Sequence, residues 1–359
     1  TGGNRPVLIA MAVRSVLAQT CQDFEIVVAD VRGSSETREA VLASGDSRVR
    51  YFVVPEGRGP NYSFDYSALQ ALGRYMLWLD DDNYLLPNAL ETFKRVIEEK
   101  QPDIVTASHL YYYDEKHPRV HLRNHLGIVP FTLETRDVAP RDIIAALFSF
   151  ARRGGRGELP RLHTSATTIS METVRRAQAR IGTVVFEDLP SGHSQHPILL
   201  AFARSCVFVD VPVMVVGRFG VSMSQVWSTA ARARFKRDAF PLRDSPLTGH
   251  TRINAVLECY LRVQKLLPDL LGDIPINRDR LAEIYLEELR YLDMELLSAA
   301  RNWLNFFRFL RTLSASTRRK LLPRALVAAA LSPLLIVSRR LGLTRYWRQM
   351  YGARRRGSA

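Results

Sequence analysis

Three consecutive carboxylates, Asp80, Asp81 and Asp82, directly follow a continuous apolar run at Met76–Leu79. Such a run is typical of a strand that is covered on both faces of a parallel sheet. The aspartates are therefore expected at the carboxyl end of a buried strand, the edge of an α/β sheet at which ligands bind. Because adjacent like charges repel and raise one another's pKa, a cation stabilises such a cluster.

The acidic triplet, Asp80–Asp82, indicates a metal and phosphate site. Carboxylate oxygens select Mg²⁺ or Mn²⁺, and such an ion commonly completes its shell with water and with substrate phosphates. The same residues also suit a solvated turn, since Asp and Asn are common in turns. The triplet alone leaves both interpretations open.

Helices and strands alternate around the acidic triplet. Apolar spacing predicts helices at residues 5–20, 36–43, 61–73 and 88–100 and strands at residues 25–30, 48–55, 76–79 and 103–109. The alternation predicts an α/β fold with a doubly wound, mostly parallel sheet. A second carboxylate, Asp30, ends the first of these strands, so it too is expected at a sheet edge.

The common phosphate-binding loops are missing from the sequence. It has no GxxxxGK[ST] motif, and Gly57 and Gly59 lack the third glycine and the strand-to-helix context of a dinucleotide fingerprint. A nucleotide would therefore have to be held by carboxylates and a metal ion.

Cysteine content and charge distribution argue against three classes of protein: disulfide-rich, zinc-binding and nucleic-acid-binding proteins. The 359 residues can form one large or two modest domains, and three widely spaced cysteines argue against a disulfide framework or a zinc site. The net charge is +14, but residues 301–359 hold 14 of the 50 basic groups and no acidic group, which leaves 36 basic against 36 acidic groups in residues 1–300. A neutral body argues against a nucleic-acid-binding protein.

Two stretches carry a more specific pattern. They are residues 14–30, RSVLAQTCQDFEIVVAD, and residues 56–90, EGRGPNYSFDYSALQALGRYMLWLDDDNYLLPNAL. Together they resemble the nucleotide-binding half of a family 2 glycosyltransferase with the A-type, Rossmann-like fold, an enzyme class that uses nucleotide-diphosphate sugars. The resemblance covers about residues 4–110 and continues more weakly to about residue 225. It implies an enzyme of cell-surface polysaccharide synthesis, with a UDP-sugar as the expected donor and a glycan or lipid-linked acceptor.

The resemblance also implies roles for single residues. Asp82 would bind Mn²⁺ or Mg²⁺ directly, Asp80 would assist directly or through water, and Asp81 would face the ribose or the sugar. Asp30 would accept hydrogen bonds from the nucleotide base, with a turn-capping aspartate as the alternative. Arg58 would pair with phosphate through its fork of donors, with a solvated surface arginine as the alternative.

An inverting transfer needs a carboxylate that takes the proton from the acceptor hydroxyl. The resemblance places this base shortly before a helix expected at residues 199–203 and a last strand at residues 207–216, and Asp188 is assigned to it in preference to Glu187. The alternative is that both acids belong to a solvated loop. In that case His193 is the base, or catalysis has been lost.

Other polar and aromatic residues have weaker functional signals. His193 and His196 stand three apart and suit a metal shell, although ordinary loop or core histidines are the alternative. Arg218, after the last strand, is a candidate for the diphosphate, with a solvated arginine as the alternative. Trp78 and Tyr111–Tyr113 are candidates for stacking on a sugar or base, with packing as the alternative. Proline in the last strand predicts that this strand lies near a sheet edge.

The sequence departs from the family pattern at two places. Thr1 lies where the family's first strand would be ending, and Val31 and Arg32 follow Asp30 in place of a second acidic residue. A truncated start would explain the first departure and not the second. The competing hypothesis from a different class is therefore a catalytically inactive sugar-nucleotide-binding scaffold subunit of a glycan assembly complex.

The C-terminal part is predicted to be helical and to contact a membrane. We expect a glycosyltransferase domain at residues 1–225, a helical extension at 226–300 and a basic amphipathic tail at 301–359. The apolar run Ala325–Val337 is 13 residues long and contains Pro333, which is short for a hydrocarbon core of ~30 Å. Apolar residues bordered only by cations suit an anionic membrane surface, and a helical subdomain packed on the body is the alternative. The expected location is the cytoplasm, peripheral at the inner face of the membrane.

Overall fold

The computed structural model describes residues 5–58, 61–117, 122–128, 130–150, 162–187, 192–219, 242–247, 251–291 and 296–340. The chain divides into two compact units, the first within residues 1–226 and 259–276 and the second within residues 227–258 and 277–359. The acidic triplet lies in the first unit.

Helices and strands alternate through the first unit. Its helices before residue 226 are α1 (Pro6–Leu17), α2 (Ser35–Leu42), α3 (Tyr62–Gln70), α4 (Ala89–Lys100), α5 (Pro140–Phe148), α6 (Met171–Ile181) and α7 (Gln195–Phe202). Its strands are β1 (Ile26–Asp30), β2 (Val49–Val53), β3 (Tyr75–Leu77), β4 (Asn83–Leu85), β5 (Ile104–Tyr113), β6 (His125–Gly127), β7 (Thr135–Val138), β8 (Thr167–Ser170) and β9 (Cys206–Arg218). Farther along the chain come α8 (Arg252–Leu266) and α9 (Pro268–Leu271).

The strands form two sheets. Strands β1 and β2 pair in parallel as a two-stranded sheet. The larger sheet has seven strands in the order β3-β8-β5-β9-β4, with β6 beside β5 and β7 beside β9. Within it β5 and β9 are parallel, whereas the pairs β3-β8, β4-β9, β5-β6, β5-β8 and β7-β9 are antiparallel.

The α/β class with a central sheet and a helical C-terminal region is confirmed, but the strand directions are more mixed than the expected mostly parallel sheet. The periodicity of apolar residues separates strands from helices and carries no information about direction. The three-residue strands β3 and β4 find partners in β8 and β9, which come more than 80 residues later in the chain. The expected strand at residues 76–79 is also shorter and ends at Leu77.

The last strand, which was predicted near a sheet edge, is the second strand from the edge of the larger sheet. Strand β9 lies between β5 and β4 and also pairs with β7. Its proline is accommodated because the register of β5 and β9 shifts beside Pro212, between Ala107 and Ser108 and again between Ser108 and His109. A bulge leaves a residue out of the hydrogen-bond ladder, which is where a proline is tolerated inside a sheet.

Helix α4 packs against the central strands. Phe93 and Val96 of α4, Val105 of β5 and Val207 of β9 belong to one cluster and are each 2% exposed or less. Full burial of such a side chain contributes about 1.5–3 kcal/mol. The strands that lead to Tyr113 and Arg218 are therefore anchored in a well-packed core.

Gln19 connects α1 to the segment that follows the acidic triplet. It is 2% exposed, and its Nε2 donates to the carbonyls of Ser15 and Leu86 at 2.9 and 2.8 Å. Its Oε1 accepts from the Leu90 N–H at 2.9 Å. That N–H belongs to the first turn of α4, where backbone donors have no partner within the helix. Gln19 thus completes the N-terminus of α4 from another element.

The second unit contains α10 (Arg278–Tyr291), α11 (Leu296–Leu310) and α12 (Ala315–Arg340). Tyr285 of α10 packs on Phe306 of α11 at 5.7 Å between ring centroids, and Arg324 of α12 pairs with Glu287 of α10 at 2.8 Å. At 26 residues α12 is ~39 Å long. By length and composition Ala315–Val337 is able to cross a membrane, and 22% of its apolar 18-residue segment is buried inside the protein. The helix begins at Ala315, ten residues before the apolar run that starts at Ala325.

We expect Gln19→Ala to lower the free energy of unfolding by about 2–4 kcal/mol, because it leaves one N–H and two carbonyls, all partly buried, without this partner. Urea unfolding followed by circular dichroism measures this change. The matched control is Gln178→Ala on α6, where the half-buried side chain should change the free energy of unfolding by less than about 0.5 kcal/mol. An equal effect of the two substitutions would contradict the structural role of Gln19.

Candidate active site

The acidic triplet forms the turn between β3 and β4. The Asn83 N–H donates to the Asp80 carbonyl at 3.0 Å, which closes the turn. Asp81 is 3% exposed, Asp82 is 14% exposed and Asp80 is open to solvent. The three carboxylates therefore differ in environment although they are adjacent in the chain.

Arg5 supplies positive charge to two of the three aspartates. Its guanidinium hydrogen-bonds Asp81 Oδ1, and its Nη1 lies 3.5 Å from Asp82 Oδ2. Burial raises the pKa of Asp81 and the charge of Asp82 adds to this, whereas Arg5 acts in the opposite direction. The other oxygen, Asp81 Oδ2, is buried and receives no hydrogen bond from the described part of the chain. Nothing in the spacing of the sequence indicated this role for Arg5.

Asp80 is held by two polar neighbours. Its Oδ2 accepts from Asn83 Nδ2 at 3.3 Å and from Ser165 Oγ at 3.5 Å, and Asn83 Nδ2 also donates to Ser165 Oγ at 3.0 Å. Surrounding protein atoms displace water from the Asp80 carboxylate, and this raises its pKa. The negative charges of Asp82 and Asp81 add to the effect, and the pKa is about 6. Because part of this side chain faces solvent, a bound cation can reach it and reverse that shift.

The end of β9 touches the main chain of the acidic triplet. The Gly217 N–H donates to the Asp82 carbonyl at 3.0 Å and to Asn83 Oδ1 at 3.2 Å. A Cβ at position 217 would lie 2.1 Å from the Asp82 carbonyl oxygen, so only glycine permits this approach. A glycine inside a strand pattern is a recognised signal of close backbone contact, and the sequence analysis did not use it.

Asp30 is buried at the end of β1, as its position in the predicted strand required. It is 1% exposed; its Oδ2 accepts from the Tyr51 hydroxyl at 2.7 Å and its Oδ1 from the Arg32 N–H at 3.0 Å. Burial and the hydrogen bond to Asp30 raise the pKa of Tyr51. The carboxylate therefore holds β2 and its own turn.

Arg58 and Glu187 form an ion pair. Arg58 Nη1 lies 2.7 Å from Glu187 Oε2, and the Arg58 guanidinium lies 4.4 Å from the centroid of the Tyr62 ring. Arg58 keeps 43% of its side chain exposed. Arg58, which is expected to bind phosphate, therefore contacts the residue that directly precedes the candidate base in the chain. Asp188 itself, which was assigned as that base, lies outside the described residues.

Asp65 of α3 anchors the same loop through its main chain. Its two carboxylate oxygens accept the N–H groups of Val185, Phe186 and Glu187 at 2.8, 2.9 and 3.1 Å. Asp65 is 1% exposed, and burial raises its pKa to about 6 against the lowering effect of the three N–H groups. The sequence analysis missed this residue because an aspartate within an ordinary amphipathic helix has no distinctive pattern.

Histidines gather beside the acidic triplet. The His163 ring packs 5.1 Å from the His109 ring, and the Ser165 N–H lies 3.3 Å from His163 Nδ1. Burial, followed by the positive charges of His109, Arg218, His196 and His193, lowers the pKa of His163. The spacing of His193 and His196 was the only sign of a histidine cluster in the sequence. The fold also brings His109, His163 and Arg218 close to these two residues.

The aromatic candidates divide into packing and partly open residues. Trp78 is 7% exposed, lies between Phe64 and Phe186 at 5.8 and 5.7 Å, and donates to Ser67 Oγ at 3.0 Å. It is therefore a packing residue. Tyr111 is partly exposed, and the Arg218 guanidinium lies 4.8 Å from the centroid of its ring.

The triplet fits a metal ion that is shared with a substrate. Within the residues that the structure describes, no group of three or more His, Cys, Asp or Glu side chains is arranged as an ion cage. Mg²⁺ and Mn²⁺ seldom need one, since one or two carboxylates with water and substrate phosphates suffice. The hard oxygens of Asp80 and Asp82, both of which reach solvent, provide such a donor set.

Comparison with known proteins gives a consistent picture. A family model described as glycosyl transferase family 2 matches residues 4–156. A GalNAc(5)-diNAcBac-PP-undecaprenol beta-1,3-glucosyltransferase of Campylobacter jejuni is 36% identical over 99 residues, which are 27% of this chain and 32% of that protein. The UDP-Glc:alpha-D-GlcNAc-diphosphoundecaprenol beta-1,3-glucosyltransferase WfgD of Escherichia coli is 32% identical over 83 residues, which are 23% of this chain and 33% of that protein. The chain thus spans about a third of these relatives.

Solved structures match over a longer range. The crystal structure of S. aureus TarS 1-349 in complex with UDP-GlcNAc superposes with a TM-score of 0.54, covering 93% of this chain and 88% of that one. The sequence identity is 14%, so the likeness concerns the fold alone.

Asp65 provides a stability test of the loop anchor. Asp65→Ala leaves three buried N–H groups unpaired and should lower the free energy of unfolding by about 3 kcal/mol, whereas Asp65→Asn keeps an acceptor oxygen and should lose about 1 kcal/mol. The folded pKa of about 6 exceeds the ordinary 3.8, so the carboxyl's contribution is full below pH 3.8 and is lost as the pH rises through about 6. The Asn variant should lack this slope.

Urea unfolding of the parent and both variants between pH 4 and pH 7 measures these effects. The exposed Asp142 of α5 is the matched control, since Asp142→Asn should change the free energy of unfolding by only about 0.5 kcal/mol. A parent and an Asp65→Asn variant with the same dependence on pH would contradict the burial of this charge.

Proposed function

We propose that the protein is a metal-dependent, inverting enzyme that moves a sugar from a nucleotide-diphosphate donor to a lipid-linked glycan, because the family model of glycosyl transferase family 2 matches residues 4–156. The observation that carries this proposal is the turn of three carboxylates between β3 and β4, in which Asp80 and Asp82 retain access to solvent. No other described turn presents three consecutive acidic residues.

Asp82 would hold the divalent ion directly and Asp80 would assist it. When bound, such an ion neutralises charge on the departing nucleoside diphosphate and aligns its phosphates. Arg5 contributes a fixed positive charge at the same place through its contacts with Asp81 and Asp82. The buried Asp81, with an oxygen that no described residue pairs, would accept a ribose hydroxyl.

Asp30 and Arg58 would complete the donor site. Asp30 would accept from the nucleotide base while it retains its bond to Tyr51, and Arg58 would pair with phosphate. In the free protein Arg58 pairs with Glu187, whose loop Asp65 holds by three N–H groups. The donor site and the loop of the candidate base are therefore connected by direct contacts.

Asp188 would be the base. It would take the proton of an acceptor hydroxyl while that oxygen bonds to the anomeric carbon and the bond to the diphosphate breaks on the opposite face. Its assignment comes from the sequence, with support from the anchored position of Glu187, its neighbour.

The acceptor class is suggested by the relatives. Two of them are named as glucosyltransferases that act on undecaprenol-linked diphosphate glycans. A UDP-sugar donor and a polyprenyl diphosphate-linked acceptor are therefore the substrates to test first.

The test measures binding and transfer separately. We expect Mn²⁺ to strengthen the thermal stabilisation of the protein by UDP-sugars, because a ligand that binds only the folded state raises its stability. Asp82→Asn should remove the Mn²⁺-dependent part of this stabilisation and reduce transfer by about 100-fold or more. Asp188→Asn should keep the stabilisation and lose transfer.

The exposed Glu98 of α4 is the control for the loss of one negative charge, and Glu98→Gln should change neither binding nor transfer. Binding of UDP-sugars without transfer to any lipid-linked glycan would favour the scaffold hypothesis over the enzyme. An Asp82→Asn variant as active as the parent would reject the assignment of the triplet.

We also propose that α12 binds an anionic membrane surface at the inner face of the cytoplasmic membrane. One side of α12 packs within its unit through Leu321, Ala325 and Ile336, which are 0–3% exposed. The other side exposes apolar residues between 42% and 65%, namely Leu322, Leu326, Val327, Leu331, Leu334 and Val337. At 100° per residue these six positions cover one half of the helix surface, opposite to the packed residues.

Charge around this face favours anionic lipid. The first turns of α12 carry Arg318, Arg319, Lys320 and Arg324, and residues 301–359 hold no acidic residue. Of these cations, Lys320 and Arg324 also pair with Glu283 and Glu287 of α10. Each basic group near an anionic surface contributes on the order of 1 kcal/mol, which falls as salt increases. The apolar face and the cations together suit a helix that lies in the membrane interface.

We expect the double substitution Leu326→Glu and Leu334→Glu to abolish sedimentation of the full chain with anionic vesicles, since both side chains are more than half exposed and the fold does not depend on them. The matched control is Val7→Glu on α1, which is 70% exposed and should leave sedimentation unchanged. Equal sedimentation of the double variant and the parent would reject the membrane role of α12.

A further inference from the structure

Gln195 is buried, and no described residue forms a hydrogen bond with either end of its amide. It is the first residue of α7 and is 1% exposed. Neither Nε2 nor Oε1 has a partner within the described residues, and in that part of the chain it is the only side chain with two such atoms. A buried polar group left unpaired costs about 1–3 kcal/mol. Two such groups on one side chain are expected where a ligand or water supplies the partners.

The neighbourhood of Gln195 belongs to the candidate active site. His193 and His196, which flank Gln195 in the chain, lie near His163. The pKa of His163 is lowered mainly by burial, then by the charges of His109 and Arg218, and last by those of His196 and His193. Ser165, which lies next to His163 Nδ1, hydrogen-bonds Asn83 and Asp80. His163 therefore lies between the two: it is near the histidines that flank Gln195, and it is joined to the acidic triplet through Ser165.

The chemistry of the amide limits the ligand. A primary amide offers an acceptor oxygen and two N–H donors side by side. A sugar hydroxyl matches this pair, because it donates its hydrogen and accepts with its oxygen lone pairs. A phosphate, which only accepts, would leave Oε1 unpaired.

We infer that Gln195 binds a hydroxyl of a sugar ring, in the donor or in the acceptor, and that it thereby helps to select which sugar is used. The inference rests on the proposed glycosyl transfer and names a residue for sugar recognition. It requires neither the metal ion nor an assignment of the base.

The deciding variant is Gln195→Met, which keeps the length of the side chain and removes both polar atoms. Because it removes two unpaired buried groups, the melting temperature should stay the same or rise. If Gln195 binds a sugar hydroxyl, kcat/KM for transfer should fall about tenfold or more. Loss of activity with unchanged or higher stability is a combination that a purely structural role does not produce.

Thr168→Val is the matched control. Thr168 of β8 is 5% exposed, and its hydroxyl also has no partner within the described residues. Valine has nearly the same shape, so this variant should gain stability and transfer sugar as well as the parent.

Two arms distinguish the source of the sugar. In the donor arm, calorimetry compares the affinities for UDP, UDP-glucose and UDP-GlcNAc, and Gln195→Met should lose the affinity that the sugar adds while binding of UDP is unchanged. In the acceptor arm, GlcNAc-diphosphoundecaprenol is the acceptor, and the variant should show a raised KM for it at saturating donor. Either result supports the proposal and identifies the sugar.

The outcomes remain separable from those of the proposed function. A parent that transfers sugar and a Gln195→Met variant that equals it in both arms would overturn the role of Gln195, leaving a buried water as its partner and the enzyme assignment intact. A parent that neither binds UDP-sugars nor transfers them would overturn both. If the Met variant fails to fold, Gln195→Leu, which also removes both polar atoms and introduces no charge, carries the same comparison.

Discussion

Mutual repulsion of three adjacent carboxylates is the constraint on which the site depends. Two strands of three residues each, β3 and β4, hold the turn that carries Asp80–Asp82, and both are too short to fix it alone. The turn is stabilised from outside by the charge of Arg5, by Ser165 and Asn83 around Asp80, and by the Gly217 N–H on the Asp82 carbonyl. Arg5, Ser165 and Gly217 come from three distant parts of the chain, whereas Asn83 directly follows the turn.

Much of the first unit could be predicted from the sequence because its signals are local. The buried strand ending at Asp30 and the helix at Ala89–Lys100 follow from apolar periodicity and from turn residues. The same periodicity could not predict that β9 lies between β5 and β4. Strand order and direction depend on which hydrophobic faces meet, and that is a property of the whole chain.

The candidate site was predicted in its acidic part and missed in its supporting part. A run of three aspartates after an apolar strand is conspicuous, whereas Arg5, Asp65 and Ser165 are single residues of common types. Their importance comes from long-range proximity: Asp65 and Val185 are 120 positions apart, and Arg5 and Asp82 are 77. Gly217 alone had a readable signal, as a glycine within a strand that is otherwise rich in valine.

Asp65 holds its loop by accepting hydrogen bonds from backbone N–H groups, which every residue other than proline has. These hydrogen bonds do not depend on the side chains at positions 185–187, but Val185 and Phe186 are buried and Phe186 packs against Trp78. Of the three positions only Glu187 is partly exposed. A gene encoding this scaffold can therefore change the surface at position 187 while the main chain of the loop keeps its place.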